Sequence, residues 1–232
     1  MDILIDHIKE KNIAIVGNQT SIINKTHLVD TLTSLNQNLV LIFSPEHGFR
    51  GEADAGANIK DEIDQKTGIP ILSLHGKNKK PPKNKLENID IIIFDIQDVG
   101  ARFYTYISTL HYILEAASEN NIEVIVLDRP NPNGHYIDGP TLEKEYKSFI
   151  GMHEVPIVHG MTIGEYAKMI IGEKWIEKKC SLTIIEMLNY NRQKIYDLPI
   201  KPSPNLPNKR AINLYPSLCL FERTIISIGR GT

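Results

Sequence analysis

Two runs that are apolar at all but one position, Ile89 to Phe94 with Asp90 near its start and Ile122 to Leu127 with Glu123 near its start, constrain this chain more than any other feature. Runs without alternation suit strands covered on both faces, and that is the situation in a parallel sheet. Between them, Ile107, Leu110, Ile113, Leu114 and Ala117 recur on one stripe, which predicts a helix from about Tyr104 to Glu119. Strand, helix, strand at this spacing is a βα unit. Others are expected around it: strands at Asn12 to Gly17, Leu39 to Phe43 and, more weakly, Ile69 to Leu74, and a helix around Thr26 to Leu35. Thr162-Ile163-Gly164-Glu165 fits a capping box that opens another helix ending near Gly172. Leu182 to Met187 reads as a late strand, and Pro199 to Pro207 as irregular. The expected fold class is α/β: a Rossmann-like, mostly parallel sheet with helices on both faces.

With 232 residues the chain is long enough for one substantial core. Lys and Arg total 26 against 28 Asp and Glu, so no global field points to nucleic acid or an anionic membrane. No apolar run approaches the roughly 20 residues of a membrane-spanning helix. Met1-Asp2-Ile3-Leu4-Ile5-Asp6 carries acids where an export signal needs a basic start, so a cytoplasmic chain is expected by default. Cys180 and Cys219 lie outside any CxxC spacing and are expected to be buried thiols, with no metal. Ser44 to Gly68 lacks a periodic element and is too long for a plain connection, which marks it as functional.

In open α/β sheets, ligands bind outside the carboxyl ends of the strands. The segments just beyond these strands are strongly polar. Glu46, His47, Arg50, Glu52 and Asp54 come after the second strand; Asp95, Gln97, Asp98, Arg102, Tyr104 and Tyr106 after the run ending at Phe94; Asp128, Arg129 and Asn131 after the run ending at Leu127. Each group also has a plainer reading. Asp95 and Asp128 suit turn capping, Arg102 and Arg129 suit pairing with those acids, His47 and His159 suit structural hydrogen bonds, and Tyr104 and Tyr106 suit either core packing or sugar stacking. No G-x-G-x-x-G succeeds the first strand, where Gly17-Asn18-Gln19-Thr20 stands, and neither a phosphate loop nor a G-x-S-x-G elbow occurs. A carboxylate-rich cleft with Arg, Asn, Gln and Tyr suits sugars, whose glycosidic bonds are cut by one carboxyl acting as acid beside a second group.

At these residues the sequence resembles the NamZ-type exo-β-N-acetylmuramidases of bacterial cell-wall recycling. The resemblance runs through Phe43-Ser44-Pro45-Glu46-His47-Gly48-Phe49-Arg50-Gly51, Phe94-Asp95-Ile96-Gln97-Asp98-Val99-Gly100-Ala101-Arg102-Phe103-Tyr104-Thr105-Tyr106, Leu127-Asp128-Arg129-Pro130-Asn131-Pro132, Val158-His159-Gly160-Met161-Thr162, Pro202-Ser203-Pro204-Asn205 and Leu214-Tyr215-Pro216. It implies a Rossmann-like domain, here residues 1–200, joined to an auxiliary domain of which 201–232 is the irregular, truncated start. It also implies release of terminal N-acetylmuramic acid from peptidoglycan fragments without a nucleotide cofactor, by members that are often exported.

Carried over, Glu46 is the general acid, with His47, Asp98 and Asp128 completing the catalytic set. The second catalytic group is one of Asp98, Asp128, Glu222 or the substrate's own N-acetyl group. Arg50, Asp95, Gln97, Arg102, Tyr104, Tyr106, Arg129, Asn131, His159, Asn205, Glu222 and Arg230 are expected to hold the glycan, with Arg102 or Arg129 on the lactyl carboxylate. Two other readings stand beside this one: an inactive sugar- or partner-binding remnant, and a hydrolase holding Mg²⁺ on Asp95, Asp98 and Asp128.

Overall fold

The computed structural model describes residues 1–45, 48–50, 62–76, 78–222 and 224–225. Five parallel strands form the middle of the sheet: β1 (Ile13–Gly17), β4 (Leu39–Ser44), β6 (Pro70–Ser73), β7 (Ile91–Asp95) and β8 (Glu123–Leu127), with β9 (Ser181–Ile185) extending it on the β8 side. A two-residue strand, β5 (Glu62–Ile63), adds antiparallel to β6 and completes the order β5-β6-β4-β1-β7-β8-β9. The turn behind β5 closes on itself, because Gly68 N donates to Asp64 O at 2.8 Å and Gly68 takes φ +73°. The chain is thus a mostly parallel, Rossmann-like α/β sheet with helices on both faces.

The apolar stretches within these strands have the expected cause. Along β1, Ile13 and Ile15 enter one buried cluster while Ala14 and Val16 enter the other. Along β7, Ile91 and Ile93 part from Ile92 and Phe94 in the same way, and along β8, Ile125 parts from Val124 and Val126. Since successive side chains point to opposite faces, a strand covered twice must be apolar at every position. Two short helices, α1 (Asp2–Ile8) and α2 (Leu28–Ser34), bury Leu4, Ile8, Leu28, Val29 and Leu32 on one face. The longer α3 (Tyr106–Asn120) and α4 (Ile163–Gly172) cover the other. Leu206, and Ile212 from a final helix α5 (Lys209–Leu218), lie in the same cluster as α3 and α4.

Several expectations shift. The helix expected over Thr26 to Leu35 begins only at Leu28, because Thr26–His27 (β3) pairs antiparallel with Ile22–Ile23 (β2), and His27 then caps the helix by accepting from Val29 N. Asn24, at φ 57°, makes that tight turn possible, since Asn tolerates the left-handed region. The helix expected from Tyr104 starts at Tyr106 and stops at Asn121, which takes φ 56°. The capping box at Thr162 is present in both directions: Thr162 Oγ1 accepts from Glu165 N, and Glu165 accepts from Thr162 N.

Candidate functional site

β4 lies on one side of β1 and β7 on the other, so the connections depart in opposite directions and leave a crevice at the carboxyl edge between them. Three loops meet there. In the first, Asn18 Oδ1 accepts from Thr20 N at 2.9 Å and from Thr20 Oγ1 at 2.6 Å. Thr20 Oγ1 in turn accepts from Gln97 N at 3.0 Å, tying the first loop to the second. Gln97 Nε2 donates to Asp98 O and to Pro130 O, both at 2.7 Å, tying the second to the third. That uses both of its amide hydrogens.

The hollow these loops enclose measures about 280 Å³ and is lined by Thr20, Ile22, Asn24, Gln97, Arg129, Pro130, Tyr196, Pro199 and Ile200. Of the residues expected from sequence to hold the glycan, it brings together Gln97 and Arg129. Thr20, Ile22, Asn24 and Tyr196 are additions. Ile22 and Asn24 arrive on the β2–β3 hairpin, and Tyr196 on the segment after β9. Thr20 and Tyr196 lie beyond the carboxyl ends of β1 and β9, so the strand-end rule, applied to those two strands as well, points to both.

Arg129 is held by its stem side. Its Nε donates to Asp95 Oδ1 at 2.6 Å, and the Asp95 side chain is only 2 % exposed. The two terminal nitrogens of Arg129 have no protein partner among the described residues. A guanidinium fixed through Nε presents a ready fork for a carboxylate.

The other acids are used differently. Asp128 Oδ1 accepts from Gly164 N at 2.8 Å and from Arg129 N at 3.0 Å, while Oδ2 accepts from Thr162 Oγ1 at 2.9 Å. It is thus a cap on α4, where the helix dipole favours a negative charge, although burial raises its pKa. A Cβ at Gly164 would come within 2.8 Å of Asp128 Cγ, so glycine is what lets the carboxylate approach. Asp98 Oδ2 accepts from Gly100 N at 2.7 Å, and Oδ1 has no hydrogen-bond partner among the described residues. Burial pushes the Asp98 carboxyl up to about 7. His159 Nε2 lies 3.7 Å from Asp98 Oδ2 and makes no hydrogen bond among the described residues, while its Nδ1 accepts from Met161 N at 3.2 Å. Burial pushes this imidazole down to about 3, so it is neutral at pH 7 with its proton on Nε2.

The remaining candidates are mostly engaged with the protein itself. Arg50 does not offer a free fork: it grips Asp64 through Nε and Nη2, both at 2.8 Å, and reaches Asp30 at 3.0 Å, so Asp64 is held down at about 2. Arg102 meets neither a strand-end acid nor the hollow. Its Nη1 donates to Pro140 O and Val155 O, because the side chain is buried under the loops beyond β8. Tyr104 and Tyr106 pack edge to face at 4.8 Å as core aromatics, with Tyr104 donating to Pro202 O and Tyr106 accepting from Asn18 Nδ2. Asn131 bridges Met161 O and Asn133 N. It also presses on Gly100, where a Cβ would sit 2.3 Å from Asn131 Oδ1 and where φ is +77°. Asn205 is half-buried, its backbone N–H on Ser203 Oγ, and Glu222 is exposed. Glu46, His47 and Arg230 lie outside the described residues, as does most of Ser44 to Gly68.

Among the described residues no group of three His, Cys, Asp or Glu is placed to hold a metal, and no helix is long and apolar enough to cross a membrane. Asp95, Asp98 and Asp128 face separate partners instead of one ion. Cys180 and Cys219 are buried, their thiols pushed up to about 12.

Fold and site together define a Rossmann-like α/β protein with its polar hollow at the topological switch point. The family described as exo-beta-N-acetylmuramidase NamZ, N-terminal, matches residues 13–210, and the chain belongs to it. It is 47% identical over 234 residues to the peptidoglycan beta-N-acetylmuramidase NamZ of Bacillus subtilis, covering 97% of this chain and 56% of that protein. Two crystal structures of DUF1343 family proteins from Bacteroides fragilis are similar along the chain. One has 50% identity and a TM-score of 0.91, covering 100% of this chain and 62% of the other. The second has 36% identity and a TM-score of 0.86, covering 95% and 57%. The chain therefore spans little more than half the length of the relatives it matches.

Proposed function

We propose that this chain carries the sugar-binding hollow and the acid of a glycosidase that releases terminal N-acetylmuramic acid from peptidoglycan fragments. The observation that carries the reading is Arg129, locked through Nε on a buried Asp95 and lining a hollow of about 280 Å³, near the lower end of small-molecule sites. That size suits a single sugar ring. Muramic acid differs from glucosamine by a lactyl ether bearing a carboxylate, and a preset arginine fork matches it. Arg129, and not Arg102, takes that role, since Arg102 is buried away from the hollow with its Nη1 on two backbone carbonyls. Gln97 Oε1, Thr20 and Asn24 serve the ring's hydroxyl and acetamido groups, and the half-exposed Tyr196 offers an apolar face to the ring.

Glu46 is the general acid of this reading. It stands two residues beyond Ser44, the last residue of β4, which is a neighbour of the crevice strand β1. In its protonated form it would donate to the glycosidic oxygen as the bond to the leaving group breaks. Asp128 and Asp98 are both engaged by backbone N–H groups, which favours the substrate's own N-acetyl oxygen as the second group.

The test is chromophore release from an aryl N-acetyl-β-muramide. Glu46→Gln should abolish release with the fold and sugar binding unchanged, and Arg129→Gln should raise KM for the muramide but not for the matching glucosaminide. Undiminished release by Glu46→Gln would remove the glutamate from the mechanism. Saturable sugar binding by the wild-type chain without any release would leave a binding module in place of the enzyme.

A further inference from the structure

Away from the strand ends, a larger cavity of about 820 Å³ opens between the middle of α3, the end of α4 and the loop 144–154. Its inner wall is already built. His111 and His153 are buried, with His153 Nε2 2.9 Å from His111 Nδ1 and His153 Nδ1 3.0 Å from the Tyr166 hydroxyl. The Trp175 ring stacks on His153 at 4.3 Å between centroids and fixes it. Burial, reinforced by nearby cations, pushes His153 down to about 3 and lowers His111 as well.

A neutral His153 carries one N–H, so this row of groups has two arrangements. In one, Tyr166 donates to His153, His153 donates to His111 Nδ1, and His111 presents an N–H at Nε2. In the other every donor reverses, and His111 presents a bare lone pair.

The rim is cationic. Lys147 is neutralised by Glu154 at 3.1 Å, whereas Lys144 and Lys174 have no ion-pair partner among the described residues, and Glu173 offsets only one of them. Lys174 also sits at φ 56°. It stands just past the end of α4, where Lys174 N donates to Ile171 O at 3.2 Å and Trp175 N to Ile170 O at 3.0 Å, so the left-handed turn closes the helix and brings the chain to the cavity rim. Met152, Met169 and Trp175 supply an apolar floor.

We infer that this cavity is a second ligand site, for a small molecule carrying one oxyanion on an apolar body, held by Lys144, Lys174 and the Nε2–H of His111. Binding selects the first arrangement and turns the Tyr166 hydroxyl proton toward His153. Because the Tyr166 ring packs edge-on against His159 at 4.9 Å, occupancy is felt beside Asp98.

Histidine side-chain ¹⁵N resonances test this on the full chain, titrated separately with N-acetylalanine and with inorganic phosphate. N-acetylalanine should shift His111 and His153 saturably toward the arrangement with a protonated Nε2 on both, and bind at least several-fold more tightly than phosphate. In Lys144→Ala/Lys174→Gly the shift should vanish, while Lys174→Gly alone should raise Tm, since glycine suits the left-handed position that ends α4. Absence of a saturable shift with either probe, survival of the shift in the double variant, or a response to phosphate alone would each overturn the assignment.

Discussion

Two buried carboxylates stand at the end of the same strand and its loop, each facing a nitrogen, and they do opposite things. Asp95 meets Arg129 Nε at 2.6 Å; Asp98 meets His159 Nε2 at 3.7 Å and leaves Oδ1 with no hydrogen-bond partner among the described residues. The first is a close salt bridge through Nε alone, and its arginine edges the hollow. The second is enclosed, with burial favouring the neutral form of both groups. What separates them is the partner's access to water: a fifth of the Arg129 side chain is exposed, against 1 % for His159. An arginine that reaches solvent and cannot deprotonate sustains an ion pair; a buried histidine loses its proton instead.

The comparison breaks most sharply at Asp95. Asp95→Asn should cost about 3 kcal/mol, the lower end for breaking a buried pair because Arg129 keeps some solvent. Urea denaturation measures it, and a loss below about 1 kcal/mol would make the pair incidental. Next is Arg129→Gln, which should weaken binding of N-acetylmuramic acid by about 1.5–3 kcal/mol, the worth of a hydrogen bond to a charged group, with little effect on N-acetylglucosamine. Isothermal titration reads both.

The second pair is sharpened by pH. Asp98, raised to about 7, holds a proton in the folded state that the unfolded chain has released above its ordinary value near 3.8, so its contribution to stability is lost as pH rises toward 7. His159, lowered to about 3, stays neutral in the folded state while the unfolded chain binds a proton below about 6.5, so its contribution is lost as pH falls below that. Between about pH 4 and 6.5 the two slopes oppose each other. His159→Gln should therefore add a decline in stability with rising pH, relative to wild type, of up to about 1.4 kcal/mol per pH unit. Denaturation midpoints at pH 4.5, 5.5 and 6.5 measure it; parallel profiles for the two proteins would contradict it. Smallest is Thr162→Ala, which removes a cap on α4 and one partner of Asp128, for about 1 kcal/mol.

Much of the scaffold was legible because its cause is local. Ile91 to Phe94 and Val124 to Val126 are apolar at every step since both faces are covered, and the Thr162–Glu165 box is a contact three residues apart. Elements of two residues, such as β2, β3 and β5, have no period to read. α5 was hidden as well: only Ile212 and Pro216 are buried in it, and Pro216 argues against a helix. At the site, the kinds of group were readable but their pairing was not. That Arg129 rather than Arg102 reaches Asp95, and that Asp128 caps a helix 34 to 36 residues later, depends on how loops from separate strands meet. Ile22 and Asn24 were hidden for the same reason, since only the unread β2–β3 hairpin carries them to the hollow.

The most direct measurement is a crystal structure of the chain soaked with N-acetylmuramic acid. The lactyl carboxylate should lie within hydrogen-bonding distance of the terminal nitrogens of Arg129, with the ring between Gln97 and Tyr196 and the Asp95 contact intact. A sugar bound elsewhere, or bound there with its carboxylate turned to solvent, would contradict the account.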